Sequence, residues 1–208
     1  SNTNTITVTE NSGVANNVTI NNSGQISAGA SSSGATSNNA IRSEDDTDNV
    51  TVVNNIGGHI HNNNTSSTAL NAATVFIAAN SSATLTNSGT IENKGGVDNY
   101  AIGLAGDGVT VTLKDDGKVI GKISVAGGST TAHTIKLQHG VGQAYFYDID
   151  GSGAYTLQDL DGNPVVKGSA GSIGQGGNEL VDEELGYKSI ALRNSLMRFK
   201  NSDEYNES

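Results

Sequence analysis

Short stretches in which apolar and polar residues alternate recur along most of this chain. They read Val-Thr-Ile-Asn-Asn-Ser-Gly-Gln-Ile over 18–26, Val-Thr-Val-Val-Asn-Asn-Ile-Gly-Gly-His-Ile over 50–60 and Ala-Thr-Leu-Thr-Asn-Ser-Gly-Thr-Ile over 83–91. A worn copy spans 111–119, where Asp116-Gly117-Lys118-Val119 replaces the Asn-x-Gly-x-Ile ending. Aligned on Gly24, Gly58, Gly89 and Gly117, the intervals are 34, 31 and 28 residues, a period that signals a repeat array. Pairs such as Val18/Ile20 and Val109/Val111 have the two-residue period of a strand, and Asn-x-Gly supplies the backbone that turns a corner.

A second apolar piece precedes the later copies: Ala40-Ile41, then Ala69-Leu70 with Val75-Phe76-Ile77, then Ala101-Ile102 with Leu104. Three short strands per period, with no helical pattern between them, predict the coils of a parallel β-solenoid. Asn22, Asn55 and Asn87 are then expected to stack at one corner, each side chain bonding the next coil. Ile6/Val8 with Asn11-Ser12-Gly13 reads as the stub of an upstream coil, and Ala28–Asn39 as a low-complexity loop leaving the wall.

Past Val119 the repeat fades. Ile123/Val125, Ile135/Leu137, Ala144–Tyr147, Tyr155–Leu157 and Val165-Val166 predict short strands separated by Gly-containing turns. Their expected role is to cover the edges and apolar core that a last open coil leaves bare. Gly168–Gly177 reads as a hinge and Asn178–Phe199 as a helix, acidic near its start and basic near its end. At helical spacing Val181, Leu185, Leu192, Leu196 and Phe199 form a narrow apolar stripe that needs a partner surface. The division is solenoid over 1–122, capping β-module and hinge over 123–177, helix over 178–200 and polar tail over 201–208.

Composition fits this organisation. With 27 Gly, 1 Pro and aromatics at 4%, the chain lacks the large apolar residues of an ordinary globular core, but a solenoid core is a narrow stack of Val, Ile, Leu and Ala. The absence of cysteine leaves stability to stacking and backbone hydrogen bonds. A formal charge of −10 with scattered lysines argues against a nucleic-acid partner, which wants a clustered basic face.

Candidate chemistry is sparse. Asp148-Ile-Asp150-Gly-Ser152-Gly-Ala-Tyr-Thr-Leu-Gln-Asp159 places oxygens at positions one, three, five and twelve of a calcium loop, with glycine at six. Asp148, Asp150, Ser152 and Asp159 are thus the candidate metal ligands, although position twelve is Asp rather than Glu and the flanks are extended. The competing reading is a metal-free β-meander: Tyr145–Ile149, a turn at Asp150–Gly153, Tyr155–Leu160, a turn at 161–163, then Pro164–Lys167. His59 and His61 share one face of a strand and could reach one metal ion, but spacing shows no third ligand, so two exposed histidines at a corner are expected. Arg42 with Glu44, Asp45, Asp46 and Asp48 reads as a solvated acidic loop. No residue set is nominated for catalysis or for a cofactor. Paired acids with a sugar-binding aromatic wall are missing, and Ser152 in Asp-Gly-Ser-Gly has no arranged base.

A solenoid of Asn-Ser-Gly-x-Ile units, a capping β-module, a Gly-rich hinge and the helix with Leu180–Phe199 together resemble the passenger region of a bacterial autotransporter (type V secretion). The resemblance implies a right-handed parallel β-helix, a C-terminal cap that assists folding during outward passage, and a terminal α-helix that threads the outer-membrane β-barrel of the same polypeptide. It departs from that family in carrying neither a membrane barrel nor a signal peptide, which suggests a passenger part of a longer chain. The expected function is a non-enzymatic cell-surface or secreted stem, a rigid stalk or adhesin with a host-surface, carbohydrate or self partner. The alternatives are a self-assembling extracellular filament subunit and a carbohydrate-active β-helix (lyase or hydrolase).

Overall fold

The computed structural model describes residues 4–9, 17–29, 38–44, 49–63, 70–78, 83–126, 130–139, 144–159, 170–173 and 185–195. Within them the alternating stretches become strands, and the chain visits three sheets in turn. One circuit is β1 (Ile6–Val8), β2 (Asn17–Asn22) and β3 (Gln25–Ala28); the next is β4 (Ile41–Ser43), β5 (Asn49–Asn54) and β6 (His59–Asn62). The third is β7 (Val75–Ile77), β8 (Thr84–Asn87) and β9 (Thr90–Asn93), and the fourth β10 (Tyr100–Leu104), β11 (Thr110–Asp115) and β12 (Lys118–Ile120).

Each strand pairs in parallel with the strand holding the same place one circuit away. Sheet I has the order β1-β4-β7-β10 and sheet II the order β2-β5-β8-β11, each extended as described below, while sheet III is β3-β6-β9-β12. Alternation then sends every second side chain inward, so Ile20, Val52, Leu85 and Val111 stack in one column of sheet II and Ile26, Ile60, Ile91 and Val119 in one of sheet III. Most of these are completely buried, and each such aliphatic side chain contributes roughly 1.5–3 kcal/mol. The core is therefore a stack of small columns shared between circuits, which is why so few aromatic residues suffice.

The strands beyond Val119 continue the stack instead of forming a meander. β13 (Lys122–Val125) and β16 (Ile149–Asp150) add in parallel to sheet I, while β14 (His133–His139) and β17 (Tyr155–Gln158) add to sheet II, giving both sheets six strands. The expected hairpin between 145–149 and 155–160 is thus replaced by two strands in different sheets, because the apolar columns stay open until Ile149 and Leu157 cover them. Only the sheet III position changes. There β15 (Ala144–Tyr147) leaves the pattern and pairs antiparallel with β18 (Ala170–Ile173), a strand within the stretch read as a hinge.

A helix, α1, covers residues 185–195, with Leu185 and Leu192 of the expected stripe 59% and 64% exposed. The rest of that stripe (Val181, Leu196 and Phe199), the Asn178 cap, the 161–167 turn and strand, the acids 45–48 and the tail lie outside the described residues. Among the described residues no helix is long and apolar enough to cross a membrane.

Candidate functional site

At the corner between sheets II and III the buried side chains of Asn22, Asn54 and Asn87 form the asparagine ladder. Asn22 Nδ2 donates to Asn54 Oδ1 at 2.8 Å, Asn54 Nδ2 donates to Asn87 Oδ1 at 2.8 Å, and Asn87 Nδ2 ends the series on the Lys118 carbonyl at 3.1 Å. The middle rung is Asn54 and not Asn55. The second circuit carries two extra residues before its corner glycine, and the bulge places Ile56 in solvent at 72% exposure with Gly57 at φ 81°. Asn55-Ile56-Gly57 therefore imitates the Asn-x-Gly corner one residue past the true rung, and Asn55 bonds Ser23 Oγ on the outside at 2.9 Å.

The outward faces of the three sheets differ sharply. In sheet I the residues in register are Thr7, Arg42, Phe76, Gly103, Ser124 and Asp150, with Arg42 lying 4.5 Å over the Phe76 ring. In sheet III one outward column is Gln25, His59, Thr90 and Lys118, and the other is Ser27, His61, Glu92 and Ile120. In sheet II one outward column is threonine throughout: Thr19, Thr51, Thr84, Thr110, Thr134 and Thr156. Neighbouring hydroxyls along it come within 3.4 Å, Thr84 to Thr51 and Thr156 to Thr134. Sequence reading overlooked this column, although its signal is present as a threonine between two inward residues in every circuit.

The two strand histidines are not both exposed. His61 is 3% exposed, and Gln25 Nε2 donates to its Nε2 at 2.7 Å, leaving Nδ1 buried without a partner. Burial, with Lys94 and His59 nearby, holds His61 below the usual histidine pKa. His59 Nε2 donates to Glu92 Oε2 at 2.9 Å, so parallel register supplies the carboxylate that spacing could not show. Still, no group of three or more His, Asp or Glu residues stands ready to hold a metal ion among the described residues.

Of the four candidate calcium ligands, Asp148 and Asp150 are brought together, but around a cation already present. Lys122 Nζ lies 3.8 Å from Asp148 Oδ2 and 3.9 Å from Asp150 Oδ2, while the Tyr100 hydroxyl approaches the latter oxygen at 3.4 Å. Ser152 lies in the bend after β16, and Asp159 follows β17 in the other sheet. The segment is drawn out along two strands, whereas a calcium loop must wind all its oxygens round one point.

Two further histidines sit in the stack. His139 is 2% exposed; its Nδ1 donates to the Asp115 carbonyl at 3.2 Å and its Nε2 accepts from the Tyr147 hydroxyl at 2.7 Å. His133 is completely buried and its Nδ1 accepts from Val109 N–H at 3.1 Å. Burial lowers the pKa of both, so each is held neutral. Where sheet III stops at β12, an open groove of about 360 Å³ is lined in part by Val97, Ile120, Phe146 and Asp148. No protein-family profile, curated protein or solved structure matches this chain.

Proposed function

We propose that the chain is a non-enzymatic stem: a right-handed parallel β-helix in the passenger region of an autotransporter, closed at its C-terminal end by β15 and β18. The observation that supports this reading best is the parallel pairing of six successive rungs in both sheet I and sheet II. Strands stacked at about 4.8 Å make a rod about 24 Å long from five intervals, whose stiffness comes from backbone bonds and from the Asn22–Asn54–Asn87 series. Such a unit adds length without chemistry. The change at β15, where antiparallel pairing replaces the parallel pattern, suits a cap that stops further stacking.

The test is to place the chain between a secretion signal and an outer-membrane barrel and to add protease to intact cells. A stem predicts surface exposure of a protease-resistant core ending near residue 158. Retention inside the cell envelope, or full digestion once outside, overturns the reading.

A further inference from the structure

The threonine column of sheet II asks for an explanation that the fold alone does not give. Threonine suits strands, and that preference acts equally on all three sheets. Yet the outward columns of sheet III hold four residue types in four rungs, and the corresponding column of sheet I, where Phe76, Gly103 and Ser124 are covered, holds six in six. Even the inward column beside the threonines, which has a packing duty, drifts through Ile20, Val52, Leu85, Val111, Ile135 and Leu157. Only the outward threonine is constant; the hydroxyl contacts along its column, at 3.4 Å, lie at the long limit of a hydrogen bond and are too weak to fix it, which leaves a constraint from outside the molecule.

The chemistry of the face narrows what that constraint is. The other outward residues of these strands are Asn17, Asn21, Asn49, Val53, Thr86 and Thr112, then Lys114, Lys136, Gln138 and Gln158, without an aromatic ring, and Lys114 is paired with Asp115 at 3.6 Å. The centre of the face, Thr51, Val53, Thr84, Thr86, Thr110 and Thr112, carries no charge, so the ligand that covers it is uncharged. It is also periodic, because rungs repeat at about 4.8 Å across the sheet and alternate residues at about 6.6 Å along a strand. A neutral polysaccharide would want the aromatic platforms this face lacks. A second copy would bury only about 300–400 Å² per partner, against about 800 Å² in a stable complex.

We propose that the outward face of sheet II, centred on Thr51, Thr84, Thr110 and Thr134, binds the ordered water lattice of ice. Ice presents rows of oxygens at repeats close to the rung spacing. Threonine offers it a hydroxyl that donates and accepts, and a methyl that excludes loose water. Its branched Cβ restricts χ1, so the hydroxyls are set in place before binding. On the two central rungs Thr84/Thr86 and Thr110/Thr112 double the array.

The experiment is ice-affinity partitioning of the full chain, comparing its concentration in slowly grown polycrystalline ice with that in the remaining liquid. The expected result is enrichment in the ice, loss of that enrichment in Thr84→Lys/Thr110→Lys, and unchanged uptake in Thr7→Lys on sheet I. Circular dichroism confirms folding of each variant; should the double variant not fold, the single Thr110→Lys is read in its place. Exclusion of the unaltered chain from ice overturns the proposal, as does equal uptake by the lysine variant.

Discussion

Asn54 and Asn87, 33 residues apart in sequence, share a 2.8 Å hydrogen bond inside the stack, and both side chains are completely buried. Asn54 also accepts from Asn22, so it is the one rung bonded on both sides by its own kind. Removing it strands a donor on Asn22 and an acceptor on Asn87 where water does not reach. Asn54→Ala is expected to cost about 2–4 kcal/mol, since each buried polar group left without a partner costs about 1–3 kcal/mol. Asn55→Ala, on the outside, should stay within about 0.5 kcal/mol. Urea unfolding of the two variants separates them, and equal midpoints would refute the buried ladder.

This pair also shows what the sequence can and cannot convey. The recurring Val-Thr-Ile and Asn-Ser-Gly pieces announce strand and corner locally, and the parallel stacking of β2, β5, β8 and β11 follows from their period. A bulge such as Asn55-Ile56-Gly57 leaves both strands intact while shifting the count between them, so the Asn-x-Gly signal points to Asn55, one residue past the true rung. Past Gly117 the corner signal is gone. Ile135/Leu137 still reads as a strand, but alternation says nothing about which strand it joins; that depends on the open columns above Val111 and Leu113. The threonine column was hidden for the same reason, since a shared face exists only once register is fixed.

The neutral buried histidines make the stack sensitive to acid. His61, His133 and His139 all have folded pKa values below the ordinary 6.5, chiefly from burial, opposed by Glu92, Asp107 and Asp115 respectively. With the folded value depressed, the unfolded chain binds protons first as pH falls, so these groups leave stability untouched well above 6.5 and lower it progressively below. Urea midpoints are expected to be flat above about pH 7.5 and to fall as pH drops through 6, within the range where histidine titrates. Replacing His133 by Gln should flatten part of that slope. An unchanged slope would place the acid response elsewhere.

At the β13–β16 edge the ammonium of Lys122 stands between the carboxylates of Asp148 and Asp150. With a cation already there, thermal melts in calcium and in chelator are expected to coincide. The ion pairs are long and partly exposed, so Lys122→Ala should cost less than about 1 kcal/mol. It also leaves two neighbouring carboxylates unopposed, and a calcium-dependent rise in melting temperature should then emerge in that variant alone. Calcium stabilisation of the unaltered chain, lost in Asp148→Ala, would instead support a metal loop.

Corner glycines are constrained by the circuit beneath them and not by their own turn. Gly89 has an ordinary backbone, yet a Cβ there would run into the carbonyl oxygens of Gly58 and Asn55 one circuit away. Neither obstacle is a side chain that can rotate aside. Gly24 occupies the same corner of the first circuit, and a Cβ there meets nothing within 4 Å. Overpacking against a well-packed interior costs about 1–3 kcal/mol and more where backbone must move, so Gly89→Ala is expected to lose about 3 kcal/mol and Gly24→Ala close to none. The contrast tests the stacking itself: if both substitutions were tolerated alike in urea unfolding, the circuits could not lie as closely as the Asn22, Asn54 and Asn87 bonds require.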